Sequence, residues 1–320
     1  MSFSLPASAS GLDAWIAGQR PARNPVSPWR PYSFFAEAER SRDGEIVAVN
    51  TIFLTNRECP WRCLMCDLWK NTLTGTVPSG AIPAQIEYAL ARLPESRSIK
   101  LYNSGSFFDP HAIPLADYPA IAAQLAPFEH VVVESHPALV GESCLRFRDM
   151  LAARLEVAMG LETVHPAILP RLNKRMTLEQ FADAAELLRA NAIELRAFIL
   201  VKPPFLPAAE AVHWAERSLD FAFQCAAGVA TLIPTRGGNG ALEALALAGD
   251  FEPPDIATLE ACLEYGLGLR QGRVFADLWD LERFSKCGVC YQARAARLRE
   301  MNLQQVVSDR VDCRSCGDRN

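Results

Sequence analysis

Short apolar runs alternate with longer amphipathic ones along most of the chain. Runs of strand length, rich in Val, Ile, Leu and Phe, occupy 46–55, 98–105, 130–137, 155–163, 194–202 and 228–235, and a further one follows at 272–280. Between them lie helix-length stretches at 82–93, 141–155, 177–191, 207–225 and 255–269. The stretch at 177–191 is the best specified. Leu178, Phe181, Ala185 and Leu188 recur at helical spacing, and Thr177 with Gln180 makes a capping box that fixes its start. Strands that alternate with helices over six or seven units predict a parallel sheet covered by helices, either a barrel or an open doubly wound sheet. Chemistry then belongs at the C-terminal ends of the strands.

The pattern is absent at both ends. Residues 1–45 are rich in Pro, Ser and Arg, with "RPARNPVSPWRPY" the densest part, and proline at that density resists both helix and strand. An irregular arm is expected there, packed on the rest through Trp29, Tyr32 and Phe34. After Asp280 the chain turns cysteine-rich around a basic helix, "QARAARLREMNLQ".

Composition narrows the classes. With 320 residues, half of them hydrophobic, the chain can bury a large core. Its 37 acidic against 32 basic residues give a formal charge of −5, which excludes a globally basic surface. No apolar run reaches the roughly 18 residues of a membrane span. The N-terminus lacks the basic start and apolar core of a secretory signal, so a cytoplasmic protein is expected. Ten cysteines are many for that compartment. Cys144, Cys225 and Cys262 stand singly in apolar contexts and read as small buried hydrophobes.

The other seven are grouped. Cys59, Cys63 and Cys66 lie in "ECPWRCLMCDLWK", directly after the first predicted strand. Clustered thiolates favour zinc or iron–sulfur clusters. Structural zinc needs four closed ligands, which here requires a distant His111 or His136. Three thiolates on a four-iron cube instead leave one iron open to a reacting ligand.

The loop resembles that of the radical S-adenosylmethionine (SAM) enzymes. The resemblance implies a [4Fe-4S] cluster on Cys59, Cys63 and Cys66 whose open iron binds SAM. One electron then cleaves SAM to methionine and a 5′-deoxyadenosyl radical that abstracts hydrogen from substrate. It also implies a partial TIM-like (β/α)6 barrel over 46–280, between the irregular arm at 1–45 and a small metal-binding tail at 281–320. Met65 stands where family members often carry an aromatic residue, and its thioether can pack on adenine. In "NSGSFFD" after the second strand, Ser104, Gly105 and Ser106 occupy the place of a motif that contacts the SAM amino group. Glu134 and Ser135 follow the third strand, with His136 read as a turn residue, and Glu162 ends the fourth. Lys202 ends the fifth, to neutralise the SAM carboxylate or to pair with Glu162. Arg236 after the sixth is placed to hold a phosphate or carboxylate of substrate.

A narrower resemblance rests on "CPWRCLMCDLWK", "NSGSFFDP", "GLET", "LNKRMTLEQFADAAELL" and "FILVKPPF". These are similar to the branch that holds the radical SAM partner subunit of archaeosine synthase, a branch related to the radical SAM domain of the elongator tRNA-modifying subunit. That implies modification of a 7-deazaguanine base in tRNA by C–N bond cleavage. Its implied partners are a lysine-transferring or tRNA-binding subunit and a flavodoxin- or ferredoxin-type reductant. A free small-molecule substrate stays open, as does a non-catalytic iron–sulfur or zinc module.

Cys287, Cys290, Cys313 and Cys316 form two Cys-x2-Cys pairs 22 residues apart, a chelating pattern that suits zinc or an auxiliary iron–sulfur cluster. The basic residues between them, Arg294, Arg297 and Arg299, lean toward a knuckle near a partner or an RNA backbone.

Overall fold

A computed structural model describes residues 5–316. In chain order the elements are α1 (Ala9–Gln19), β1 (Ser33–Arg40), β2 (Ile46–Phe53), α2 (Ala81–Leu90), β3 (Ser98–Tyr102), α3 (Tyr118–Leu125), β4 (His130–Ser135), α4 (Glu142–Met150), β5 (Arg154–Glu162), α5 (Leu178–Ala190), β6 (Glu194–Val201), α6 (Ala211–Gln224), β7 (Val229–Pro234), α7 (Ala241–Ala248), α8 (Ile256–Leu269), β8 (Arg273–Ala276) and α9 (Tyr291–Gln304). The eight strands form one sheet in sequential order. β2 to β8 run parallel and β1 is an antiparallel edge. An order that never reverses selects the barrel type over the doubly wound one. The sheet curls into an open half-barrel.

Each strand sends alternate residues to opposite sides. On the helix side Ile99 and Leu101, Val131 and Val133, Leu155, Val157 and Met159, and Leu195, Ala197 and Ile199 share one buried core. The other side lines the lumen, and contacts across it show the curl. Tyr102 on β3 meets Phe198 on β6 edge to face at 6.1 Å. Glu39 on β1 pairs with Arg196 on β6 at 2.7 Å and also with Lys100 on β3. Two layers result. Phe35, Phe53, Tyr102 and Phe198 form an aromatic layer nearer the C-terminal ends. Below it Glu39, Lys100, Glu156 and Arg196 form an ionic floor.

The N-terminal segment departs from the expected irregularity. Residues 20–32 do lack helix and strand, but α1 precedes them and β1 follows. α1 is held by tertiary packing, with Leu12 and Ile16 against Leu64, Leu242 and Leu245. β1 pairs with β2 along its whole length, through a turn at which Gly44 adopts φ +82. The capping box of α5 forms as the sequence predicts, with the Gln180 amide N–H donating to Thr177 Oγ1 at 3.2 Å and the Thr177 N–H to Gln180 Oε1 at 3.0 Å.

At the other end, α9 adds Leu298 and Met301 to the main core. Its basic residues are not an RNA-facing surface as a set. Arg294 and Arg297 are buried, Arg294 pairing with Glu260 at 2.7 Å and Arg297 with Glu264 at 2.8 Å, and only Arg299 is exposed. Two α8 carboxylates absorb charges that sequence alone left available. Among the described residues, no helix is long and apolar enough to cross a membrane.

Candidate active site

The cysteine loop leaves β2 at the C-terminal end of the sheet and is fastened from three directions. The Leu64 N–H donates to Leu172 O at 2.8 Å. Asn173 Nδ2 donates to Arg62 O at 2.7 Å. Asn239 Nδ2 donates to Leu64 O at 2.7 Å and Cys66 O at 3.3 Å. From the N-terminal side Arg20 and Arg23 both bind the Glu58 carboxylate, and Arg23 also donates to Trp69 O at 2.8 Å. Against the burial that would raise it, this pair of guanidiniums holds the Glu58 carboxyl below its usual range.

Desolvation pushes the Cys59, Cys63 and Cys66 thiols up to about 12. Each would feel the charge of another of the three, and the Lys174 cation acts the opposite way on Cys59 and Cys63. All three thiols lie on one eight-residue stretch of the loop. They do not form one of the groups in which every ligand atom lies within 4.8 Å of the others, as the four C-terminal cysteines do.

The loops after β3, β4 and β5 face these thiols. Ser104, Glu162 and Lys202, each at a strand end, all hold positive φ (55°, 65° and 53°) without being glycine, a costly conformation that tends to collect at functional rims. Gly105 abuts the first cysteine, and a Cβ there would lie 3.2 Å from Cys59 Cβ. Glu134 Oε1 accepts from the Asn103 N–H at 2.5 Å and the Gly105 N–H at 3.4 Å, so it fixes this turn, while burial raises its own carboxyl. Ser106 and Ser135 hydroxyls meet at 2.8 Å, and Ser104 Oγ meets the Tyr32 hydroxyl at 3.1 Å.

Glu162 pairs with Lys174 at 2.7 Å, both buried. Lys202 does not join them. Its ammonium donates to Glu252 O at 2.6 Å and lies 3.2 Å from the Glu252 carboxylate. Arg236 is paired with Asp277. Met65 packs, partly buried, beside two apolar clusters that also touch Phe205. His136 stacks flat on Trp61 at 3.8 Å. Burial, and then the Lys174 charge, lower it to about 4, so it is neutral. One ring nitrogen accepts from the Ala138 N–H at 3.1 Å and the other lies 3.0 Å from Lys174 O. Both nitrogens are engaged, so His136 is no fourth ligand.

Sequence reasoning missed Lys174, Asn173 and Asn239. Lys174 and Asn173 lie in the quoted "LNKR" and Asn239 in "GGNG", but nothing local says which carbonyl or carboxylate each will reach.

No family model matches the chain. Its structure superposes on methylornithine synthase (PylB) with a TM-score of 0.52, covering 98% of this chain and 84% of that one at 13% identity. The archaeal Methanocaldococcus infernus Elp3 gives 0.51, covering 69% and 58% at 14% identity. The chain therefore shares the fold of these two proteins. In sequence the chain is 28% identical to an uncharacterised protein of Methanocaldococcus jannaschii, over 58% of itself and 54% of that protein. It is 27% identical to archaeosine synthase subunit beta of Methanosarcina acetivorans, over 64% of itself and 62% of that protein. It is 28% identical to archaeosine synthase subunit beta of Thermococcus kodakarensis, over 38% and 40%. The chain thus spans less than two thirds of the curated relatives it matches.

The residues fit the iron–sulfur cluster and SAM that the sequence resemblance implies. Three thiols lie on a fixed loop, a buried cation stands beside two of them, and a glycine makes the close approach to Cys59.

Proposed function

We propose that the chain is a radical SAM enzyme. Cys59, Cys63 and Cys66 would hold a [4Fe-4S] cluster with one open iron, and the rim after β3, β4, β5 and β6 would hold SAM. The reading is carried by the three-thiol loop docked onto a strained polar rim. The chemistry supplied by the bound pair is one-electron cleavage of SAM to methionine and a 5′-deoxyadenosyl radical.

The chain's own residues orient and shield. Glu134 sets the turn at 103–105, so that Ser104 and Gly105 present backbone and hydroxyl groups to an ammonium. Met65 offers a soft apolar face to adenine, and Ser135 and Ser106 brace the neighbouring loop. Lys174 with Glu162 is a buried charge pair whose cation acts on Cys59 and Cys63, and it offsets the negative charge of thiolate ligands. In this arrangement Lys202 belongs to the outer rim with Glu252, and Arg236 with Asp277 to the wall beyond. The aromatic layer floors the cavity and excludes water from radical chemistry.

By similarity to archaeosine synthase subunit beta, the reaction is C–N bond cleavage on a 7-deazaguanine base of tRNA. The formal charge of −5 and the two internally paired arginines of α9 leave tRNA binding to a lysine-transferring or tRNA-binding partner subunit. A flavodoxin- or ferredoxin-type protein would deliver the electron, in the cytoplasm. The same acidic balance also favours a second reading, a free small-molecule substrate.

Anaerobically reconstituted, dithionite-reduced protein should convert SAM to 5′-deoxyadenosine, and Cys63→Ala should abolish this. A reconstituted protein that yields none sinks the enzyme reading. Nucleoside profiles of tRNA from a deletion strain separate the two substrates, because an unchanged profile leaves only the small molecule.

A further inference from the structure

The half-barrel has an open side at β8, and α9 covers it in an unusual way. Asn302 Oδ1 accepts from the Ala276 N–H at 2.8 Å, and its Nδ2 donates to Ala276 O at 2.8 Å. Three residues on, Gln305 Oε1 accepts from the Val274 N–H at 2.7 Å, and its Nε2 donates to Val274 O at 2.9 Å. Two side-chain amides, nearly one helical turn apart, thus serve alternate residues of an edge strand as a neighbouring strand would. Leu298 and Met301 anchor the same helix in the core. Arg273 donates to Arg40 O at 2.8 Å, which ties β8 to the far edge strand beneath α9.

Four cysteines bracket this helix. Cys287 and Cys290 directly precede it, and Cys313 and Cys316 return to them after it. Cys287 Sγ lies 3.9 Å from Cys313 Sγ, and Cys290 Sγ lies 3.8 Å from Cys316 Sγ. All four sulfurs lie within 4.8 Å of one another. A disulfide needs sulfurs about 2.05 Å apart, so these are not bonded pairs. Four thiolates about 2.3 Å from one tetrahedral ion lie about 3.8 Å from each other. A cube with one thiolate at each iron would spread them further, and a two-iron cluster would split them into two separated pairs. The Arg297 guanidinium binds Ser308 O at 2.6 Å and Asp309 O at 2.7 Å, so the return segment is already drawn toward the helix.

The geometry points to one tetrahedral zinc-class ion held by Cys287, Cys290, Cys313 and Cys316, which staples both ends of α9 and so locks that helix as the surrogate edge of the half-barrel. The ion is structural and carries no electrons. It stands apart from the chemistry proposed for the first three cysteines.

The test uses the full chain with Cys59, Cys63 and Cys66 replaced by alanine, so that the first loop contributes no iron. Purified protein should contain about one zinc per chain and neither iron nor sulfide. Cobalt in its place should give the visible bands of a tetrahedral thiolate site. Cys313→Ser should lose the ion. Hydrogen-exchange protection at Val274 and Ala276 should then fall by about tenfold or more while Val131 and Val133 keep theirs. Should Cys313→Ser be insoluble, a thiol-competing chelator added to the folded protein gives the same readout. Iron at these cysteines in any form, absence of bound metal, or unchanged β8 protection after the ion is removed would each overturn the proposal. Because the tested protein lacks the first three cysteines, none of these outcomes bears on SAM cleavage.

Discussion

Glu162 and Lys174 form the charge pair on which the candidate site turns. Each is buried, and each would be costly there alone. Burial by itself would lower the Lys174 ammonium, but the Glu162 charge raises it well above its usual range. Removing one partner strands the other, so Lys174→Met should destabilise the fold by about 3–5 kcal/mol, read as a shift in the urea midpoint. Glu162→Gln together with Lys174→Met should recover most of that loss. If the pair serves only the fold, the double variant regains SAM cleavage along with stability. If it serves the cluster and SAM, stability returns without turnover. A double variant no steadier than Lys174→Met alone would show that the two residues are not coupled. Position 174 also marks where the sequence stopped being informative. The three cysteines stood out because their Cys-x3-Cys-x2-Cys spacing is local to the chain. Asn173, Lys174 and Asn239 act on Arg62, Glu162, Leu64 and Cys66, and the carbonyls of the cysteine loop that the asparagines hold lie over a hundred residues away.

At the level of elements, α8 carries two glycines that should respond oppositely to the same change. A Cβ on Gly266 would meet Val274 Cγ1 at 2.8 Å and Leu219 Cδ1 at 3.2 Å, because the helix packs tightly on β8 and α6 there. Gly268 is exposed, with nothing within 4 Å. Gly268→Ala should therefore stabilise by about 0.5–1 kcal/mol, the helix-propensity gain. Gly266→Ala should cost about 1–3 kcal/mol through overpacking. Thermal melts of the two variants check this, and equal shifts would mean that the packing contrast is wrong. The contrast bears on legibility too. The seven parallel strands and six of the helices were visible because local pattern and tertiary role agree in them. α7, "ALEALALA", is short and carries no clear period, and it is settled by packing on α1. β1 was hidden by the proline-rich run before it, although Asp43-Gly44 offered a hairpin cue. Lys100, Glu156 and Arg196 sit in strands that read as apolar, and only closure of the lumen explains them.

That closure is a property of the whole molecule. β1 and β6 are remote in the sheet, yet Glu39 reaches Arg196 and Lys100, so the ionic floor forms only when the sheet is curled. Burial would raise Glu39, but the Arg196 and Lys100 cations outweigh it and bring its carboxyl down to about 2. Glu156 is likewise held low, its burial outweighed by Arg196 and His130. A carboxylate depressed in the folded state contributes stability that is fully present above its unfolded value of about 4.3 and is lost as pH falls through the folded value. For Glu39 alone the term is on the order of 3 kcal/mol. Urea midpoints should therefore stay level from neutral pH down to about 5 and then drop steeply toward pH 2. Glu39→Gln should be less stable at neutral pH, where Arg196 and Lys100 lose a charged partner, and its acid slope should be shallower. If Glu39→Gln keeps the full acid slope, the floor is not what holds the curl at low pH. The same reasoning separates floor from rim. Acid loosening of the floor should open the lumen from the N-terminal ends of the strands, so exchange at Lys100 and Arg196 should rise at a higher pH than exchange at Leu64, whose amide is bound by Leu172 O at the opposite end.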